Sequence, residues 1–295
     1  MKISGKNGIS ALVIQDSKCN SNRITTLELE YPKFIHAEFL THRMFSRNSQ
    51  SSRAVPVHRM LEHIEQNPAV PVHWGAAESG MQASNEVDFV AEPTSLWHTA
   101  KRSAIWYTQR LLDLGLHKQV ANRITEPFQM IKTVVTATEW DNFFELRNHA
   151  DAQPEIYELA KLMATAMEQS TPMMLRPGDW HVPYVYREQD NIGQISYYTE
   201  GVLIDKQTAK MLSASCCAQV SYRRQNLSAE KARSLFNRLI TSKPAHLSPV
   251  EHQATPMRII KATDNIEPGV THMRMDSTLW SNNFQGWIQH RSLIC

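Results

Sequence analysis

An apolar run, Phe34, Ile35, Ala37, Phe39, Leu40, Met44 and Phe45, leads directly into the polar stretch Thr41-His42-Arg43-Met44-Phe45-Ser46-Arg47-Asn48-Ser49-Gln50-Ser51-Ser52-Arg53. Those thirteen residues hold three arginines, one histidine, four serines and no carboxylate. A solvated face normally mixes both charge signs. Cations and neutral hydrogen-bonding groups alone suit a phosphate-bearing ligand. Because the cluster grows out of a segment that must be buried, it is expected to line a cleft rather than coat a surface.

The rest of the chain makes any such site local. Its 31 basic residues nearly balance its 29 acidic ones, which argues against a broad nucleic-acid or membrane surface. The apolar share, 42%, is that of a folded globular protein, and 295 residues suffice for a sizeable core. No uninterrupted apolar run approaches a membrane span, and the N-terminus carries no signal-like apolar stretch. Cys19, Cys216, Cys217 and Cys295 form no Cys-x-x-Cys pair, so the expectation is a reduced, cytoplasmic protein.

Alternation predicts strands at 8–15, 23–30 and 132–137. Helices are expected at 31–46, 95–114, 118–126, 139–147, from about 154, and at 228–241. The face Ala100, Ala104, Tyr107, Leu111 and Leu114 marks the second of these, with Gly115 as its stop. Thr138 is expected to cap the fourth and Ser228 the last. Segments 65–95 and 171–195 read as irregular. There is no βαβ rhythm, G-x-G-x-x-G or P-loop, so the fold class is α+β. The His-Arg pair of Thr41-His42-Arg43 recurs in Gln289-His290-Arg291, read as coincidence.

Further chemistry-bearing segments are Asn142-Phe143-Phe144-Glu145-Leu146-Arg147, Arg123 in Val120–Pro127, and His246-Leu247-Ser248-Pro249-Val250-Glu251-His252. Asn142 and Arg147 are about 140° apart on a helix, so they serve different sides. Arg147 could equally sit in a local ion pair with Glu145. Ser248, Pro249 and Glu251 fit a capping box. His246 and His252 lack an accompanying ligand set, so no metal is expected. Cys216-Cys217 lies among small residues and reads as packed and inert.

Together these segments resemble the flavin-dependent thymidylate synthase family. Its Arg-His-Arg, seven residues, Ser signature is matched by Thr41-His42-Arg43, Met44 to Gln50, and Ser51, save for Thr41 in the first position. Asn142 to Arg147 and Ala152-Gln153-Pro154-Glu155-Ile156 resemble its later segments. Ala218-Gln219-Val220-Ser221-Tyr222 and His246–His252 resemble segments that precede the signature in the family, which implies a circular permutation. Ser49 and the position of Arg123 also depart from the family pattern.

The resemblance implies one catalytic domain over 1–295: a signature and nucleotide-binding part at 1–170, and a permuted flavin-binding part at 200–295. It implies a homotetramer and reductive methylation of dUMP to dTMP, with FAD, NADPH and methylenetetrahydrofolate. By carry-over, His42, Arg43, Asn142, His246 and Ser248 contact FAD. Ser51, Ser52, Arg53, Arg123 and Arg147 hold dUMP, with Arg147, Ser51 and Arg53 nearest the chemistry. Another C5 modification of a pyrimidine nucleotide, such as hydroxymethylation, stays open, as does a non-catalytic nucleic-acid-binding protein.

Overall fold

A computed structural model describes residues 2–51, 54–80, 82–221, 228–259 and 266–294. Ser52, Arg53, Met81 and Tyr222 therefore lie outside the described residues.

Strands β1 (Lys2–Ser4), β2 (Ser10–Cys19), β3 (Asn22–Pro32), β4 (Ser46–Ser49), β5 (Met130–Ala137) and β6 (Met173–Met174) form one sheet. Its order is β1-β2-β3-β5-β4, antiparallel throughout, with β6 added parallel to β2. β2 and β3 are a hairpin closed by Asn20-Ser21, where Asn20 takes the positive φ that such a tight turn demands. Leu27, Leu29, Tyr31, Val135 and Ala137 point to one face. There they meet Phe143 of α5 (Asp141–Arg147) and Ile156, Leu159 and Met163 of α6 (Pro154–Glu168) in a common core. The side chain of Gln153 caps α6, accepting from Glu155 and Ile156 backbone N–H groups.

A bulge between Val13 and Gln15 turns Gln15 and Ser17 toward the second half of the chain. On that side Ser17, Thr26 and Thr136 meet His181 and His252 in a buried polar seam. Beyond it, Trp180, Val182, Leu212, Cys216, Phe284 and Trp287 build a second core. It brings together the β7 (Tyr186–Gln189), β8 (Ile195–Thr199), β9 (Val202–Ile204) meander, helix α7 (Lys206–Ala218), the pair β10 (Ala254–Pro256) with β14 (Trp287–Gln289), and β13 (Phe284–Gln285). β11 (His272–Met273), β12 (Leu279–Ser281) and β13 form a small antiparallel sheet. The architecture is α+β, as expected from the sequence.

Several local expectations are corrected. The helix expected over 31–46 does not form. β3 runs on to Pro32, a 3-10 turn covers Lys33–Ile35, α1 is only His36–Phe39, and β4 follows. The edge of β5 decides this: β4 pairs with it from Ser46↔Thr136 to Ser49↔Thr133. Thr138 does not cap α5; its hydroxyl accepts from the Gln285 N–H at 3.0 Å. Ser248–Glu251 is a 3-10 turn without the expected capping box, because Glu251 instead pairs with Arg291. Within 171–195, β6 and β7 replace part of the expected irregular stretch.

Helix α3 (Ala91–Asp113) is longer than expected and stops at Gly115 in a positive-φ conformation. Its inward stripe is Lys101, Ala104 and Thr108, which face α2 (Val57–Gln66), the short α4 (Lys118–Ala121) and the turn around Phe128, leaving Tyr107 and Leu114 exposed. Ser228 stands at the N-cap position of α8 (Ala229–Thr241), whose Ala232 and Phe236 are buried. Among the described residues no helix is long and apolar enough to cross a membrane.

Candidate active site

The site grows from the end of α1. Arg47, on β4, folds back so that one guanidinium nitrogen donates to the carbonyls of Leu40 (2.9 Å) and His42 (2.8 Å). This satisfies carbonyls that a short helix leaves orphaned, and it fixes the turn carrying the signature histidine. His42 is buried against Phe45 and Phe143, with ring centroids 5.9 Å and 4.8 Å away.

Arg147, 105 residues further on, donates from Nε to His42 Nε2 at 3.0 Å. Its Nη1 pairs with the Glu38 carboxylate of α1. An arginine can only donate, so His42 Nε2 must accept and its proton sits on Nδ1. Burial first, then the charges of Arg147 and Arg47, hold the His42 pKa down to about 4. His42 is therefore a neutral, fixed acceptor near neutral pH. The ion pair foreseen for Arg147 exists, with Glu38 rather than Glu145 as partner.

A cavity opens at each end of β4. At its start, Arg43, Phe45 and Arg47 line a cavity of about 750 Å³ together with Glu251, Asn282, Asn283, Gln289 and Arg291. Past its other end, Gln50 and Ala54 line one of about 760 Å³ with Lys33, Arg59, Lys132, Val220 and Ser221. The Ser51 backbone N–H donates to Ser221 Oγ at 3.0 Å, and Asn48 Nδ2 donates to the Cys217 carbonyl at 3.1 Å. The signature segment thus lies against the 217–221 segment that follows it by 170 residues.

The remaining sequence-derived residues sit less centrally. Asn142 is exposed on the first turn of α5, away from the side where Arg147 reaches His42, as the helical angle requires. Arg123 is exposed and pairs with Glu126 at 2.9 Å, lining neither cavity. His246 and Ser248 are exposed and line neither, although Glu251 of the same segment does. Sequence reasoning missed Glu38, Asn282, Asn283, Gln289 and Arg291. For the last two the signal was visible, in the second His-Arg pair.

Cys216 and Cys217 are fully buried; burial pushes the Cys216 thiol up to about 12 and Cys217 up as well. Neither supplies a thiolate near neutral pH. Cys216→Ala and Cys217→Ala are each expected to keep most of the turnover of the native chain. A complete loss in a folded variant, measured by product formation, would restore a cysteine mechanism.

Residues 23–173 match the family described as thymidylate synthase complementing protein. The chain belongs to that family. It is a thymidylate synthase-like enzyme, and the matched span contains His42, Arg43, Ser51, Asn142 and Arg147. No curated protein matches the chain. Among solved structures it is similar to the UMP/dUMP methylase PolB from Streptomyces cacaoi bound with 5-Br dUMP. That likeness covers 52% of this chain and 68% of the other, at 21% identity and a TM-score of 0.43. The same protein bound with 5-Br UMP gives 52% and 70% coverage, 22% identity and a TM-score of 0.40.

Proposed function

We propose that the chain catalyses flavin-dependent reductive methylation of dUMP to dTMP, with methylenetetrahydrofolate as one-carbon donor and NADPH as reductant. The observation that carries this is the 3.0 Å contact between Arg147 and His42, which joins two family segments 105 residues apart at one point. The donor set fits a phosphate-bearing cofactor. Arg43 has no hydrogen-bond or ion-pair partner among the described residues and lines a cavity otherwise rich in amides. FAD, when bound, supplies the hydride.

The chain's own residues bind and orient. His42, Arg43, Asn142, His246 and Ser248 hold the flavin. Ser51, Ser52, Arg53, Arg123 and Arg147 hold the nucleotide. Arg147, steadied by Glu38, presents its remaining N–H groups to a pyrimidine oxygen, where a cation stabilises the enolate-like charge that develops as C5 becomes nucleophilic. Ser51 positions rather than attacks. The Arg47 and His42 side chains turn inward, which disfavours a nucleic-acid surface.

We also propose one catalytic domain in which the 200–295 part supplies, in permuted order, what precedes the signature elsewhere in the family. The Ser51–Ser221 and Asn48–Cys217 hydrogen bonds support this. A homotetramer is in keeping with the bare face of α3, where Leu96, Trp106, Tyr107 and Leu114 are exposed.

Purified protein is expected to be yellow, with flavin absorbance. Colourless protein that FAD cannot reconstitute would remove the flavin assignment. Mass analysis of the product from dUMP, methylenetetrahydrofolate and NADPH is expected to show a gained methyl; a hydroxymethyl would point to the related C5 modification instead.

A further inference from the structure

The second His-Arg pair is not idle. β14 and the 3-10 turn His290–Leu293 carry Gln289 and Arg291 to the cavity that Arg43 and Arg47 line from the other side. The two walls are stitched together. Gln289 Nε2 donates to Ser46 Oγ (3.1 Å), Asn283 Oδ1 (3.0 Å) and the Glu251 carbonyl (3.0 Å). Asn283 Nδ2 donates to the Met44 carbonyl (3.0 Å) and to Ser46 Oγ (3.1 Å). Both walls therefore hold a fixed spacing, which is what a clamp needs.

Among the described residues, the charged ones lining this cavity are Arg43, Arg47, Arg291 and Glu251. Three cations against one carboxylate leave an excess of two positive charges. Glu251 is itself engaged by Arg291, which aims that guanidinium, and Arg47 is spent on the carbonyls of Leu40 and His42. Arg43 carries its charge with no described partner. A concave, amide-lined cavity with this surplus matches a doubly charged phosphate group, recognised by guanidinium forks.

We propose that Arg43 and Arg291 form a two-sided clamp for the phosphate of a bound nucleotide, either a monoester dianion or the diphosphate of a dinucleotide. The identity of that ligand rests on the function proposed above; the anion site itself does not. It lies outside the family-matched span on one wall and inside it on the other.

Calorimetric titration of the full chain with FAD, dUMP and inorganic pyrophosphate at low ionic strength tests this, using Arg43→Ala, Arg291→Gln and Arg291→Lys. Arg43→Ala and Arg291→Gln are expected to weaken FAD or dUMP at least about tenfold, the loss of one charge-assisted contact, with Arg291→Lys between them and the native chain. A loss confined to FAD assigns the diphosphate, and one confined to dUMP assigns the monoester. Unchanged affinity for both ligands in both variants overturns the clamp. If the native chain binds neither nucleotide, the proposed function fails. The clamp then stands if pyrophosphate binds and Arg43→Ala weakens it, and falls otherwise. Should Arg291→Gln unfold, Arg43→Ala decides, since no described contact of the fold depends on that side chain.

Discussion

Arg147→Ala is expected to lower turnover of dUMP by about 100-fold or more while costing the fold only about 1–2 kcal/mol. The stability cost is modest because the pair is part-buried rather than sealed from water: the side chains of Arg147 and Glu38 are 21% and 30% exposed. The catalytic cost is large for two reasons. In the proposed function the variant removes the cation that faces developing charge, and it frees His42 Nε2, so the imidazole loses the partner that sets its tautomer. Arg147→Lys keeps the charge but cannot serve Glu38 and His42 from one planar fork, so it should fall between the two. Thermal melting beside steady-state kinetics and dUMP titration checks this. Binding and stability lost in equal measure would make Arg147 a structural ion pair and no more.

Stability is expected to fall steeply below neutral pH. His181 and His252 are both fully buried, and their pKa values are depressed, that of His252 to about 3 and that of His181 well below its ordinary 6.5. Burial is the main cause for both; His181 also faces Arg187 and His252. Arg187 donates to Ser17 Oγ at 3.0 Å. Ser17 Oγ also pairs with His181 Nδ1 and His181 Nε2 with Thr26 Oγ1, both at 2.8 Å. Thr26 in turn pairs with Thr136 at 2.7 Å, and Thr136 with His252 Nδ1 at 2.8 Å. His252 Nε2 has no hydrogen-bond partner among the described residues. A proton added to either imidazole puts a charge into this buried run, next to the Arg187 cation in the case of His181.

Both histidines are neutral in the fold and charged in the unfolded chain below about 6.5, so the unfolded state binds more protons as pH falls. Their contribution is fully present above pH 6.5 and is lost progressively toward pH 3. Each histidine supplies a slope of up to about 1.4 kcal/mol per pH unit, and the pair about 2.7. Urea unfolding between pH 7.5 and 5 measures it, and His252→Gln should remove about one proton's worth of slope. A free energy of unfolding that stays flat across that range would refute the assignment.

What the sequence determined is what local periodicity and composition encode. The alternation of 23–30 and 132–137 gave β3 and β5, and Gln153-Pro154 opened α6. The carboxylate-free cluster from Thr41 to Arg53, with Asn142 to Arg147 downstream, placed the chain in its family. These signals survive because each depends on neighbours within a turn or two.

Tertiary structure decided the rest. The apolar run after Pro32 is compatible with a helix, and only the free edge of β5 draws Ser46–Ser49 into the sheet. The sequence offered only Glu145 as an ion-pair partner for Arg147, and the packing of α5 beside α1 supplied Glu38 instead. The repeated His-Arg pair was visible along the chain but read there as coincidence. In the fold, Gln289 and Asn283 tie the C-terminal strands to Ser46, and Arg291 lines the same cavity as Arg43. A charge-assisted contact acts over a few ångströms of space, whatever the separation in sequence, so the partners were readable as types but not as pairs.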